Sequence, residues 1–376
     1  MKSIDLLKAM NNLDSELIQE AGKSPAPRKR SPRRLITVLV AVTVVASLAI
    51  GAAAAELGGG WFRRFFADKS QSPLSDSQIA YLDENAKTFA PTQGASQPSA
   101  PDASQRQTQD GYTMELKSAI TDGHMAYVVI GITAPEDVVL NATTIEGYNS
   151  EKPSLRPGNS DELNFLTDEN GVPPLGFTSW EPREDYDGLA NTQDLVIKIL
   201  PDEQDSFGAS MVWNLHFEDL IAQYINEAYQ TELPDNYISF DEETYAKLYP
   251  KVTLAKGTWD FKVDFSGSDM REIELISQPV PVSACTGWKE SGEKVYQEVE
   301  VTSFVLRSLS ASIYTSWHDG VPDFSDVYAV MKDGSRITLA SNTGSSGEEN
   351  FCAESPILLD EVDHILLTDG TELPMP

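Results

Sequence analysis

The chain has 376 residues, of which 58 are acidic and 28 basic, giving a formal net charge of −30. That length suits two or three domains. A surface this acidic repels phosphate backbones, so nucleic-acid binding is excluded as the work of the bulk of the chain.

The N-terminal stretch MKSIDLLKAMNNLDSELIQEAG carries apolar residues at helical spacing. Ile4, Leu7, Met10 or Asn11, Leu13, Leu17 and Ile18 predict a short amphipathic helix over 3–21, stopped by Gly22. Such a helix cannot bury its stripe alone. It frays, lies on a membrane or meets a partner. Its mixed charge favours a protein partner, and the face it would present is Leu7, Leu13, Leu17 and Ile18.

A basic run, Arg28 to Arg34, leads into 21 uncharged residues from Leu35 to Ala55. At about 1.5 Å per residue these reach roughly 30 Å, the thickness of a bilayer core. The polar side chains inside the run, Thr37, Thr43 and Ser47, can bond back to helix carbonyls. A signal peptide has a shorter core and a shorter basic lead. The stretch therefore predicts a retained transmembrane helix over 35–55, with cleavage near the small residues Ala53 to Ala55 as the alternative. Eight basic residues precede the run, and only Arg63, Arg64 and Lys69 follow closely. The positive-inside bias puts the N-terminus in the cytoplasm and the C-terminus outside, in a single pass through the cell membrane. The segment before residue 35 is near +4 and the rest near −34. Membrane lipid is thus a partner, and the basic run reads as a topology signal that touches anionic headgroups.

Beyond the span, Gly58 to Gly60 read as a flexible joint. Trp61, Phe62, Phe65 and Phe66 read as an outer-leaflet aromatic belt, the plainer alternative being a juxtamembrane helix. Ser75 is a candidate N-cap for a helix carrying Ile79, Leu82 and Ala86. Residues 91–109 hold no apolar side chain larger than alanine or proline and read as a linker.

From Asp110 the period changes to two. GYTMELKSAI and MAYVVIGITA flank the turn TDGH and predict a hairpin. DLVIKIL, SMVWNLHF and GTWDFKVDF are further strand candidates, while EDLIAQYINEAYQ has helical spacing. A second strand group starts near Met270, with turns at Lys332-Asp333-Gly334 and Asp369-Gly370. The expected architecture is mainly β: one N-terminal transmembrane helix, then two extracellular β-sandwich-like (immunoglobulin-like) domains over 110–265 and 270–376, with 56–109 as juxtamembrane helix and linker.

No sequence motif for a nucleophile elbow, a zincin or a P-loop is present, and no Cys-x-x-Cys pair. The four histidines, His124, His216, His318 and His364, lack ligand spacing and read as surface or sheet residues. Asp202 to Asp205 lack the spacing of a calcium loop. No enzymatic activity, cofactor or metal is expected. Cys285 and Cys352 lie in the outer segment, where an oxidising compartment permits a disulfide. Two free thiols satisfy the sequence equally.

Three stretches carry a family resemblance: DLLKAMNNLDSELIQEA ahead of the basic run and span, QDGYTMELKSAITDGHMAYVVIGITAP, and GTWDFKVDF with the ending LDEVDHILLTDGTELPMP. Together they resemble the bacterial domain-of-unknown-function family numbered 4179, membrane proteins of firmicutes that are anti-sigma-like and often encoded near extracytoplasmic-function sigma factors. The resemblance implies a membrane regulator that holds a cytoplasmic sigma factor or another regulator through the inner helix. It implies no catalytic residues. The cytoplasmic piece has neither histidine nor cysteine, unlike many anti-sigma factors. The alternative is a cell-surface binding or structural protein without a signalling role.

Overall fold

The structure is a computed structural model. It describes residues 59–89, 105–140, 154–159, 165–169, 171, 176–184, 190–201, 211–223, 241–289, 293–318, 322–324, 327–345 and 347–376. The N-terminal helix face and the apolar run over 35–55 lie outside these residues. Among the described residues no helix is long and apolar enough to cross a membrane. All of them belong to one compact unit, 53–376.

Helices α1 (Gly59–Ser70) and α2 (Asp76–Asn85) come first. Gly59 and Gly60 lie inside α1, so this part of the glycine run is not a joint. Ser75 caps α2 as its sequence predicts. Its hydroxyl accepts from the Gln78 amide while the Gln78 side chain returns to the Ser75 amide, a reciprocal capping box.

The remainder is mainly β. Strands β1 (Lys87–Thr88), β2 (Arg106–Gln109), β3 (Tyr112–Thr121) and β4 (Ala126–Thr133) are followed by β5 (Ser154–Pro157), β6 (Leu166–Asp168), β7 (Gly176–Glu184), β8 (Thr192–Pro201) and β9 (Val212–Gln223). After the short helix α3 (Glu242–Leu248) comes β10 (Lys251–Asp264). The first sheet has the order β1-β3-β4-β8-β7, with β2 also on β3. The second runs β10-β9-β5, with β6 also on β9. The two sheets bury a common core that includes Leu116, Ile130 and Ile197 from the first and Phe217, Trp259 and Phe261 from the second.

Two sequence expectations change here. β2 occupies the end of the expected linker, and β9 takes residues 218–223 from the expected helix. Leu220 and Ile221 suit either period. Pairing of this stretch with both β5 and β10 decides for the strand. Polar β2 pairs with β3 through the backbone and reaches β10 through rungs of side chain. The amides of Gln105, Gln107 and Gln109 donate to the carbonyls of Lys262, Asp260 and Thr258 on β10, and the Asp260 amide returns a bond to Gln107. Glutamines two residues apart thus stand in for a neighbouring strand along an edge that would otherwise be open.

The second strand group comprises β11 (Glu272–Glu274), β12 (Val280–Trp288), β13 (Lys294–Arg307), β14 (Ser310–Thr315), β15 (Val327–Met331), β16 (Arg336–Ser345), β17 (Glu348–Ala353), β18 (Val362–Leu366) and β19 (Glu372–Pro374). They form one nine-stranded sheet, β11-β13-β14-β17-β16-β15-β18-β19, with β12 also on β13. The sheet encloses its own core around Phe304, Ile313, Leu339, Phe351 and Ile365. It curls far enough that Asp369, between β18 and β19, accepts the Ser283 amide of β12 at 2.8 Å. Both expected Gly turns form here, with φ of +85° at Gly334 and +89° at Gly370.

A third core joins these parts. Trp61, Phe62, Phe65 and Phe66 of α1 are buried with Tyr81 and Leu82 of α2, Tyr127, Val129 and Val196 of the first sheet, Leu309 of the β13–β14 turn and Cys352 of the third sheet. The four aromatics therefore do not form a lipid-facing belt. Phe65 and Phe66 each meet the Tyr127 ring edge-on, at 5.2 and 5.7 Å, a preferred aromatic geometry.

Candidate functional site

Charged groups inside a body this apolar mark the places where the fold has been shaped for something besides hydrophobic burial. Three such places lie among the described residues.

The first is Asp194 on β8, which has no exposed surface. One carboxylate oxygen accepts the indole N–H of Trp61 on α1, the other the ammonium of Lys117 on β3, both at 2.6 Å. Lys117 follows Leu116 at a bulge between β3 and β4. Its stem then crosses the backbone of Gly131, where a Cβ would stand 2.3 Å from Lys117 Cε. A side chain at 131 would therefore push this lysine off its course. The pair neutralises the buried charge and anchors α1 to the sheet in the same step.

The second is the joint between the β3–β4 turn and the third sheet. Asp122 Oδ1 accepts the amides of His124 and Met125 and so shapes the turn. Its Oδ2 accepts the Leu309 amide at 3.0 Å and the Ser310 hydroxyl at 2.7 Å across the joint. His124 Nε2 lies 3.2 Å from Asn350 Oδ1 and 3.4 Å from Ser312 Oγ. Ser312 donates to Asn350 Oδ1, and Arg307 donates to Ser312 and to Glu272. Burial first, and then the Arg307 charge, hold the His124 imidazole below its ordinary range, so it is neutral near pH 7. A histidine, a serine and an aspartate meet here, but Asp122 bonds the backbone of His124 and not its ring. All three are buried. In this conformation the cluster meets no substrate and acts as a polar seam between two sheets.

The third is Glu349 on β17. It accepts the Ser341 hydroxyl and the Phe324 amide. Burial raises its carboxyl to about 7, against the lowering effect of these two bonds. It pins residues 322–324 to the sheet, where Asp323 also bridges Cys285 through both backbone groups.

A groove of about 570 Å³ lies between the α1–α2 turn and the β15–β16 hairpin. Ser72, Ser75 and Gln78 line one side, and Asp333, Arg336 and Glu354 the other. Ser335 bonds Asp333 through its hydroxyl and amide and keeps that carboxyl below its usual range. Asp333 is therefore a turn former and not a proton donor. No group of three or more metal-ligating side chains occurs among the described residues.

The structure does not bring Cys285 and Cys352 together. Both are free and buried. Cys285 sits opposite Tyr296, whereas Cys352 sits opposite Ser310, near the level of Arg307. The two positions are about 35 Å apart along β13, and bridged cysteines have Cα atoms under about 7 Å apart. Cys352 instead packs against the Met125 sulfur at 3.3 Å, and burial raises its thiol pKa. Leu7, Leu13, Leu17 and Ile18 lie outside the described residues.

Comparison with known proteins adds little chemistry. No protein-family model matches the chain, and no curated protein sequence matches it. One solved structure, the crystal structure of the conserved domain protein from Bacillus anthracis, is similar over 70% of this chain and 75% of that one. Identity is 9% and the TM-score 0.38, so nothing is carried over from it.

Sequence reasoning missed all three of these places. Asp194 did leave a trace, since it opens the apolar run DLVIKIL. Asp122 and His124 were hidden in a turn, where such residues are ordinary.

Proposed function

We propose that this chain is a single-pass, membrane-anchored regulator whose outer β body senses a ligand or the state of the envelope. In this reading residues 35–55 span the membrane, 1–34 face the cytoplasm, and the body comprises two immunoglobulin-like β modules, 110–265 and 270–376. The separate cores on either side of residue 270 support that division. The cytoplasmic partner is a sigma factor or another regulator, as the resemblance to the family numbered 4179 implies, held by the amphipathic face of Leu7, Leu13, Leu17 and Ile18. No catalytic role is assigned.

One observation carries the reading. Only three residues, 56–58, separate the apolar run from α1. That helix is packed between the first and third sheets and fixed by the buried Asp194. A rearrangement of the sheets would therefore act directly on the helix that leads to the span. A protein that needed only an anchor would be served by a loose tether. The alternative, a surface-binding protein with a mute stub, requires no such packing.

The test is capture from membranes with the wild-type chain and with Leu13→Asp plus Leu17→Asp. The regulator retains one cytoplasmic protein that the double variant loses. Recovery of envelope components alone by both baits would favour the surface-binding protein. Release of a soluble body beginning near Glu56 would remove the anchor from either reading.

A further inference from the structure

Four large apolar side chains stand exposed among the described residues: Val139, Tyr245, Trp288 and Tyr296. Two of them share a face. Trp288, 64% exposed, ends β12 opposite Lys294, and Tyr296, 53% exposed, lies two residues further along β13. Strand alternation puts Lys294, Tyr296, Glu298 and Glu300 on one side, while Val299 and Val301 turn into the core. Glu298 and Glu300 are exposed, and no cation pairs with either among the described residues. The face thus runs from two aromatic rings to two open carboxylates.

The chain itself shows what chemistry this face accepts. The Lys294 ammonium lies 5.3 Å above the Trp288 ring and 2.9 Å from the Asp323 carboxylate. It is an internal cation held between a ring and an acid, the pairing by which aromatic sites bind ammonium and guanidinium groups. The two carboxylates further along have no such occupant. An anionic partner would meet a chain of net charge −30 and be repelled. From the level of Trp288 to Glu300 the face extends about 20 Å, six strand residues, which is longer than a single amino acid or sugar unit covers.

We propose that the outer face of the β12–β13 hairpin binds a cationic amphipathic peptide in extended form. An apolar residue of the peptide rests on Trp288 and Tyr296. Two basic residues, spaced two apart, reach Glu298 and Glu300. Such a surface binds its ligand whether or not the N-terminal segment engages a partner, so it goes beyond the regulator reading. Within that reading it supplies the sensed ligand.

The test uses the full-length chain in detergent and a fluorescent peptide, Trp-Ser-Lys-Ser-Lys-Ser, blocked at its C-terminus. Fluorescence anisotropy gives affinity for the wild type, for Trp288→Ala and for Glu298→Gln with Glu300→Gln. Each variant alters exposed side chains only, and an unchanged thermal melt confirms folding. At least tenfold weakening is expected in both variants. Hexalysine and spermine are expected to compete at least tenfold less well than unlabelled peptide. No binding up to about 1 mM peptide would overturn the proposal, as would variants that bind like the wild type. Equal competition by hexalysine or spermine would also overturn it, since bulk negative charge alone would then explain the binding.

Discussion

Phe66→Ala separates a helix built into the β body from one that lies at a membrane surface. Phe66 is fully buried and packs against Phe62, Phe65 and Tyr127, with centroids 6.2, 5.0 and 5.7 Å away. Truncating such a ring costs about 3–5 kcal/mol, its lost burial plus the cavity left behind. Every 1.4 kcal/mol is tenfold in an equilibrium. Undocking of α1 should therefore become more than about a hundredfold more frequent. The loss is local, because the first and third sheets keep cores of their own that do not include α1. Hydrogen exchange on the full-length chain reads it directly. Amides of residues 61–70 should exchange roughly two orders of magnitude faster, while β14 and β17 keep most of their protection. Unchanged exchange over 61–70 would refute the reasoning and return these rings to the lipid interface.

Glu349→Gln tests the buried carboxyl. Because the folded pKa, about 7, lies above the unfolded value, the wild type has the full benefit below about pH 4.5 and loses it as pH rises to 7. Relative to the wild type, the glutamine variant should gain about 3 kcal/mol between pH 4.5 and pH 8 in denaturant melts. A constant difference would count against it. Asp194→Ala removes the fully buried carboxylate that accepts the Trp61 N–H and the partly exposed Lys117 ammonium and should cost about 2–3 kcal/mol; a shift below about 1 kcal/mol would show that the pair is not desolvated. Asp122→Ala removes the acceptor of three amides and a hydroxyl and should cost a similar amount, with faster exchange at the Leu309 amide. Mass spectrometry should find both thiols intact, alkylated only once the chain unfolds; a mass two hydrogens lower without reductant would show a bridge.

Local chemistry was legible wherever it determined the outcome. The α2 start is fixed by Ser75 and Gln78, and the hairpins at Gly334 and Gly370 by their turns, all within a few residues. The β3–β4 hairpin was legible too. The continuous run YVVIGI within β4 also held a stronger signal, that both faces of the strand are covered. What escaped depended on distant partners. β17 opens with Glu348, Glu349 and Asn350, polar residues with no apolar alternation, yet it lies between β14 and β16 with these residues buried. Its polar groups find acceptors and donors more than two hundred residues away in His124 and nearby in Ser341. The aromatics of α1 follow an apolar run, where a lipid interface and a protein core ask for the same residue types. The site residues 7, 13, 17 and 18 stay where the sequence left them, and the two cysteines were separated by register, which spacing does not reveal.

The glutamine rungs between β2 and β10 have a mechanical consequence. On one side β2 keeps a backbone ladder to β3, whereas on the other its contact with β10 rests on these side-chain rungs. A movement of the β2–β3 hairpin away from β10 would meet Gln105, Gln107 and Gln109 as three separate contacts. Each contact is worth about 1 kcal/mol net, so the side-chain seam is weaker than the backbone ladders on either side of it. The opposite side of β10 remains paired with β9 along its length. Opening that seam would expose the edge of β10 while β2 stays paired with β3 and β10 with β9.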